Sequence, residues 1–193
     1  RGNGDQDDST AAATVGGEFV GKKPLTRNCA KLGDYLCVAG VIGDAAIGLS
    51  VLQKKNWPLS SDEKRYFAKE FFRHIPRFKA GEILQKEDGV TSLMDLSDPL
   101  DQSVRILGDA SKVGFKVNLD MVPRSKIFRG MIREPKSALM SGEDYSLLFT
   151  VRKSGLARLR RKLKFVVIGE TIRKARGVQF FQKGRPVKLK AST

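Results

Sequence analysis

The feature that most constrains this chain is the run Ser141 to Ser146, which ends directly in Leu147-Leu148-Phe149-Thr150-Val151. Two adjacent carboxylates, Glu143 and Asp144, and a tyrosine, Tyr145, stand at the mouth of five mostly apolar, β-favouring residues. Those five read as a short, largely buried strand. Gly142 in front lets the backbone turn without a Cβ clash. Charges beside a buried strand are tolerated only when hydrated, paired or coordinating something. The stretch is therefore either a polar loop entering a strand or a site.

Elements of both periods surround it. Tyr35 to Ala39 reads as a strand. Gly40 and Gly43 then predict a tight turn, and Ala45 to Leu49 a helix packed through small residues. A phosphate could sit at that helix N-terminus; glycines selected for close packing explain the same letters. Ser60 to Glu63 start a helix with a cap and early acids. Phe67 and Phe71, widened by Tyr66 and Phe72, form its apolar stripe. Pro76 stops it, and the single His74 near its end reads as a core-edge residue. Arg77 either grips a phosphate bidentately or pairs with a neighbouring acid.

Gly89 to Leu96 predicts a strand that delivers Asp95, Ser97 and Asp98. Asp98 is expected as the N-cap of a helix with Pro99 in its first turn, running on Leu100, Val104 and Leu107. Phe115 to Val122 predicts a further strand. Ser154 is expected to cap a helix carrying Leu156, Leu159 and Leu163 on one face. Phe165 to Ile172 follows as a strand, then Val178 to Phe181, where one of Phe180 and Phe181 is core and either could stack on bases. Residues 1 to 9 read as an acid-rich loop whose carboxylates, Asp5 among them, either hold Mg2+ or are simply solvated.

The charge is one-sided. Of the net +15, residues 152–193 supply +13, with 14 Lys and Arg against one acid, Glu170. Arg158, Arg160, Arg161, Lys162, Lys164, Arg173, Lys174, Arg176, Lys183, Arg185, Lys188 and Lys190 are the candidate contacts for a polyanion such as RNA, DNA or an anionic membrane surface; a solvated face is the plainer explanation. Two cysteines, one of them inside a strand, favour a reducing, intracellular setting over a disulfide. No apolar run approaches the roughly 20 residues that span a bilayer, and no signal peptide is visible.

Three strings carry a resemblance. Gly142 to Val151 resembles the Gly-Gly-Glu-Asp-Tyr-Glu-Leu-Leu-Phe-Thr-Val hallmark of thiamine-monophosphate kinases. Met94 to Leu100 resembles their Met-Asp-Leu-Ser-Asp-Gly-Leu, with Pro99 in place of the glycine. Pro76-Arg77 with Gly81 and Leu84 resembles their Pro-Arg-x-x-x-Gly-x-x-Leu. Arg27 to Asp34 is similar to the family's joint between domains. The resemblance implies an α+β fold, an α/β sandwich with a mixed sheet covered by helices: the C-terminal domain of the aminoimidazole ribonucleotide synthetase-like fold. It implies a remnant of the N-terminal domain over 1–28, a kinase-like domain over 29–185 and a basic tail over 186–193. It also implies ATP and Mg2+ as cofactors, held with Asp5, Asp95, Asp98, Glu143 and Asp144, Asp98 being the catalytic candidate and Arg77 a phosphate ligand.

Two expectations follow. In the first, the domain is catalytically incomplete, needs no cofactor, and serves as a structural subunit with an RNA-facing surface in a large, organellar assembly such as a ribosome; the basic quarter and Pro99 favour it. In the second, it is an active cytoplasmic kinase converting thiamine monophosphate to thiamine diphosphate, with neighbouring subunits or a separate N-terminal half completing the site; the retained motifs favour that.

Overall fold

Alternating apolar strands flanked by amphipathic helices fold into one seven-stranded sheet clad on both faces. The computed structural model describes residues 12–14, 16, 23–73, 75–131 and 142–188. Asp5, His74 and Lys190 lie outside them, as does the acid-rich first loop. The strands are β1 (Tyr35–Ala39), β2 (Val90–Asp95), β3 (Gly114–Asn118), β4 (Leu147–Val151), β5 (Val166–Ile172), β6 (Val178–Gln182) and β7 (Arg185–Val187). The helices are α1 (Asp44–Leu52), α2 (Ser61–Phe72), α3 (Phe78–Gln85), α4 (Leu100–Ser111), α5 (Lys126–Met131) and α6 (Lys153–Arg160). Across the sheet the order is β2-β4-β1-β5-β3-β6-β7, antiparallel throughout except for β3 with β6.

The two-residue period of β1 divides the core. Leu36 and Val38 point to one face, where Ile47 of α1, Phe67 of α2, Val104 of α4 and Phe128 of α5 cover them. Cys37 and Ala39 point to the other, where Leu84 of α3 and Leu159 of α6 close the layer over β4. Burial pushes the Cys37 thiol up, so it behaves as a small apolar side chain.

Local chemistry explains where elements begin. At α2, Ser60 and Glu63 cap each other's backbone N–H groups, the Ser60 hydroxyl taking the Glu63 N–H at 3.2 Å and Glu63 Oε2 taking the Ser60 N–H at 2.8 Å. Phe67 is fully buried, but Phe72 is 72% exposed. Five residues of helix rotate it well off the inward stripe, so the apolar face is narrower than the sequence predicts. At α4 the Pro99 carbonyl takes the Ser103 N–H at 2.9 Å, which makes Pro99 the cap residue. Asp98 then stands one position too far out, and no side chain caps this helix. Ser154 likewise does not cap α6: Arg152 holds the cap position, and Leu163 packs from beyond the helix end. The strand predicted over Phe115 to Val122 stops at Asn118, whose side chain takes the Asp120 N–H at 3.0 Å and turns Leu119–Met121 into a 3-10 turn.

Two features make quantitative expectations. A Cβ on Gly48 in α1 would stand 2.1 Å from the Phe67 carbonyl oxygen, whereas one on Gly81 in α3 meets nothing within 4 Å. Gly48→Ala should therefore lose roughly 1–3 kcal/mol or more by overpacking, while Gly81→Ala should gain about 0.5–1 kcal/mol of helix propensity. Urea unfolding of both reads the signs, and an unperturbed Gly48→Ala midpoint would refute the close helix contact. Glu87, just before β2, accepts hydrogen bonds from Lys162 and, at 2.7 Å, from Arg158. The Lys162 bond leads in holding its carboxyl below the usual range. Its folded pKa is depressed, so its contribution is complete above the unfolded value of about 4.3 and is lost as pH falls through the folded one. Glu87→Gln should flatten that part of the acid-unfolding limb; identical limbs would show that the pair contributes nothing.

Candidate functional site

The strand pairing brings the carboxyl ends of β1, β2, β3 and β6 to one end of the sheet, together with the amino ends of β4 and β5. Open sheets flanked by helices gather ligands outside such ends. The loop before β4 lies there. Glu143 and Tyr145 both adopt left-handed backbone, with φ 64 and 46. Each costs on the order of 1–2 kcal/mol. In return the Glu143 and Tyr145 N–H groups donate to Ser97 O at 2.8 Å and Leu96 O at 3.0 Å. Asp144, between them, is turned the other way. Its carboxylate accepts from Gly43 N at 2.8 Å and Ala45 N at 3.4 Å, at the start of α1.

The glycine turn therefore exists for close approach, and its helix N-terminus is held by an anion of the chain itself. Gly43 has φ 104, and a Cβ there would stand 2.5 Å from the Phe128 ring. At Gly40 a Cβ would meet Ser146 Oγ at 2.1 Å and Arg77 Nη2 at 2.8 Å, so Arg77 reaches across the turn. The Ser146 hydroxyl donates to Val41 O at 2.8 Å, tying β4 to the turn after β1.

Three adjoining cavities open around this frame. A polar one of about 150 Å3 is bounded by Asp44, Glu70, Arg73, Arg77, Glu143 and Asp144. A more apolar cleft of about 570 Å3 runs between Arg77, Phe78, Glu82, Asp95, Tyr145 and Leu147. The third, of about 840 Å3, includes Arg27, Asn28, Met94, Asp95, Ser97 and Asp98. Arg77 borders the first two and Asp95 the last two. The sequence-derived candidates Arg77, Asp95, Asp98, Glu143 and Asp144 are thus brought together at one end of the sheet.

Their partners differ. Glu143 Oε2 takes the Tyr145 hydroxyl at 3.0 Å, and this bond raises the tyrosine pKa. Among the described residues the carboxylates of Asp95 and Asp98 have no hydrogen-bond or ion-pair partner. Asp101, in the first turn of α4, is 6% exposed, and its buried Oδ1 has no hydrogen-bond partner. A buried carboxylate oxygen without a donor wants a proton or a cation. Asp95 and Asp98 are hard oxygen donors of the kind Mg2+ takes and border one cavity, but among the described residues no group of three His, Cys, Asp or Glu could hold a metal ion.

Sequence reasoning missed Asp101, and it missed Asp44. Asp44 is buried and accepts from the Tyr66 and Ser125 hydroxyls, each at 2.8 Å. Burial pushes its carboxyl up against the effect of those two bonds. The available signal for both was an acid in the first turn of a helix.

The basic candidates do not form one patch. Arg158 and Lys162 pair with Glu87, and Lys174 pairs with Asp109. Arg173, Lys174 and Arg176 follow β5 at the end of the sheet opposite the cavities, and Lys188 follows β7 there. Lys183 sits in the β6–β7 turn and Arg185 opens β7, both at the cavity end. Arg160, Arg161 and Lys164 are exposed, with no carboxylate partner among the described residues.

No family model matches the chain. Curated relatives do. The thiamine-monophosphate kinase of Escherichia coli (strain K12) is 34% identical over 176 residues, covering 86% of this chain and 53% of the relative. That of Buchnera aphidicola subsp. Schizaphis graminum is 31% identical over 187 residues, covering 93% and 57%. Among solved structures, AaThiL complexed with AMPPCP and TMP aligns with TM-score 0.71 at 27% identity, covering 86% of this chain and 52% of that one. The chain spans about half the length of the curated relatives it matches. The motif loop, the α+β mixed sheet and these matches agree: the chain belongs to the thiamine-monophosphate kinase family.

Proposed function

We propose that this chain carries the nucleotide- and metal-facing half of an ATP- and Mg2+-dependent thiamine-monophosphate kinase. The observation that supports it best is the pairing of a strained, fully tied loop with carboxylates left without partners. Left-handed backbone at Glu143 and Tyr145 turns Asp144 toward α1, and such strain collects at functional sites. A related protein, AaThiL, has been crystallised with AMPPCP and TMP.

In this reading Arg77 grips phosphate oxygens with its planar fork at the junction of two cavities. Tyr145 and Phe78 wall the apolar cleft against which a ring system rests. Asp144 acts as a positioning residue, holding the loop on α1. Asp95 and Asp98, which border one cavity, would contribute oxygen ligands to Mg2+, which neutralises phosphate charge during phosphoryl transfer. The remaining ligands would come from outside the described residues, among which no group of three acids, histidines or cysteines could hold a metal ion. The γ-phosphoryl group leaves ADP and bonds to a terminal phosphate oxygen of thiamine monophosphate. A separate N-terminal half supplying further carboxylates is part of this proposal.

A second reading has its own support. Pro99 has no N–H to offer at the start of α4, and its ring lies 3.5 Å from where a Gly142 Cβ would be, filling space beside the loop. Several exposed cations near α6 have no partner among the described residues. In this reading the domain is a catalytically incomplete structural subunit of an organellar, RNA-rich assembly, such as a ribosome.

Titration calorimetry with AMPPCP separates the two. The kinase reading expects binding that requires Mg2+, falls at least tenfold in Asp98→Asn, and falls roughly 10- to 100-fold in Arg77→Ala through loss of a charge-assisted hydrogen bond, with unfolding midpoints unchanged. Nucleotide binding indifferent to both Mg2+ and Asp98 would reject it. The structural reading expects no consumption of ATP with thiamine monophosphate, and RNA affinity that falls steeply with salt.

A further inference from the structure

The helices do not cover the sheet evenly. On the face of α3 and α6 their apolar contacts reach β2, β4 and β1 and stop at β5. Beyond that line, among the described residues, the floor of β5, β3 and β6 is open. Lys116 and Asn118 are exposed there, and Phe181 is half-buried. A groove of about 410 Å3 is bounded by Tyr35, Lys116, Asn118, Val167, Glu170 and Phe181.

The cations of α6 and of the turn that follows it fall on two flanks. Arg158 and Lys162, four residues apart, turn to Glu87 on the α3 side. Lys153 and Arg160, seven apart, lie on another stripe and turn toward the groove. Lys153 Nζ stands 5.7 Å from the Tyr35 ring centroid. Arg160 is exposed at the end of the same stripe. On the floor, Lys116 Nζ stands 5.1 Å from the Phe181 ring centroid. Lys183 closes the far corner in the two-residue turn beside Gly184, which lines the groove.

The geometry points to this groove as a docking surface for single-stranded RNA. The inference rests on the RNA-facing reading above and gives it a location. Lys116 lines the groove, Lys153 stands at its Tyr35 rim and Lys183 flanks Gly184, against Glu170 in the groove and Asp120 beside Lys183. The balance is positive, as a phosphate backbone requires. Two half-buried rings, each faced by a lysine, lie at its ends, three interstrand spacings of about 4.8 Å apart. Unpaired bases would stack on them in place of the lysines, whose charges then meet phosphate. Glu170 has no partner among the described residues and can only accept hydrogen bonds. Midway along the floor it would repel a phosphate but suits a 2′-hydroxyl or an exocyclic amine. The Asn118 side-chain amide N–H groups are also free, since only its oxygen is engaged. Those two groups favour RNA over DNA.

The test uses the full chain and fluorescent single-stranded RNA, single-stranded DNA and duplex probes of equal length. The groove variant Lys116→Glu with Arg160→Glu should weaken RNA binding at least tenfold. A control of equal charge change on the opposite face of the sheet, Lys64→Glu with Lys69→Glu on α2, should weaken it less than threefold. Phe181→Leu keeps the apolar volume and should lose roughly tenfold through lost stacking, with its thermal midpoint checked alongside. RNA should outcompete DNA, and Glu170→Gln should narrow the gap.

If both charge variants weaken binding equally, the polyanion reading stands and the groove is wrong. RNA that binds to neither the wild type nor any variant removes both. Equal affinity for RNA and DNA overturns RNA as the occupant. A dimer in which Lys116 becomes protected, without RNA binding, would give the face to a second copy.

Discussion

The carboxylate of Asp144 accepts the first N–H groups of α1 from the opposite side of a hundred-residue excursion. That contact fixes the start of β4 to the turn after β1, and the two strands are neighbours in register from Ala39–Leu147 to Tyr35–Val151. It can form only if the loop presents Asp144 to α1 while its flanking N–H groups face β2. The backbone meets both demands by alternating left-handed residues at 143 and 145. The same approach leaves no room for a Cβ at Gly40, and the Phe128 ring of α5 leaves none at Gly43. What reads in sequence as two motifs, a glycine turn and an acidic loop, is one device.

That device also sorts the acids. Asp144 neutralises the positive end of α1, Asp44 is satisfied by the hydroxyls of Tyr66 and Ser125, and Glu143 takes the Tyr145 hydroxyl. Asp95 and Asp98 receive nothing comparable, and Asp101 buries an oxygen with no donor. Asp144, Asp44 and Glu143 are used by the loop and the helix it caps, whereas Asp95 and Asp98 border an open cavity. That division between holding groups and unpartnered ones is the observation on which the kinase reading rests.

Local signals were legible wherever a single element decides them. The bounds of β1 match Tyr35 to Ala39, the Ser60–Glu63 box starts α2, and the apolar run after the acidic loop is β4. Legibility failed where the deciding partner is remote. Nothing near Arg158 or Lys162 in sequence announces Glu87, more than seventy residues earlier, yet that pairing removes two cations from the free surface. Asp34 looks like a loop acid but is buried, accepting from the Thr91 hydroxyl at 2.6 Å in a polar seam that continues through Thr150 to Ser92. Asp98 was misplaced for a smaller reason: the helix start slid by one residue, and Pro99 took the cap.

A net +13 concentrated in the last quarter of the chain invites the picture of a single basic patch, and the fold does not build one. Some of these cations are paired, and others stand at opposite ends of the sheet. What concentrates charge is α6, because its side against α3 is neutralised and its other side is not. That asymmetry faces the part of the sheet that lacks a helical cover. Among the described residues, cations without a carboxylate partner, half-buried rings and an unroofed strand floor coincide there. The groove opens at Tyr35, the amino end of β1, whereas the acidic loop closes on the turn after Ala39, its carboxyl end. The groove around Tyr35 and Lys116 shares no lining residue with the cavities around Arg77 and Asp98, so a ligand in one would not have to displace a ligand in the other.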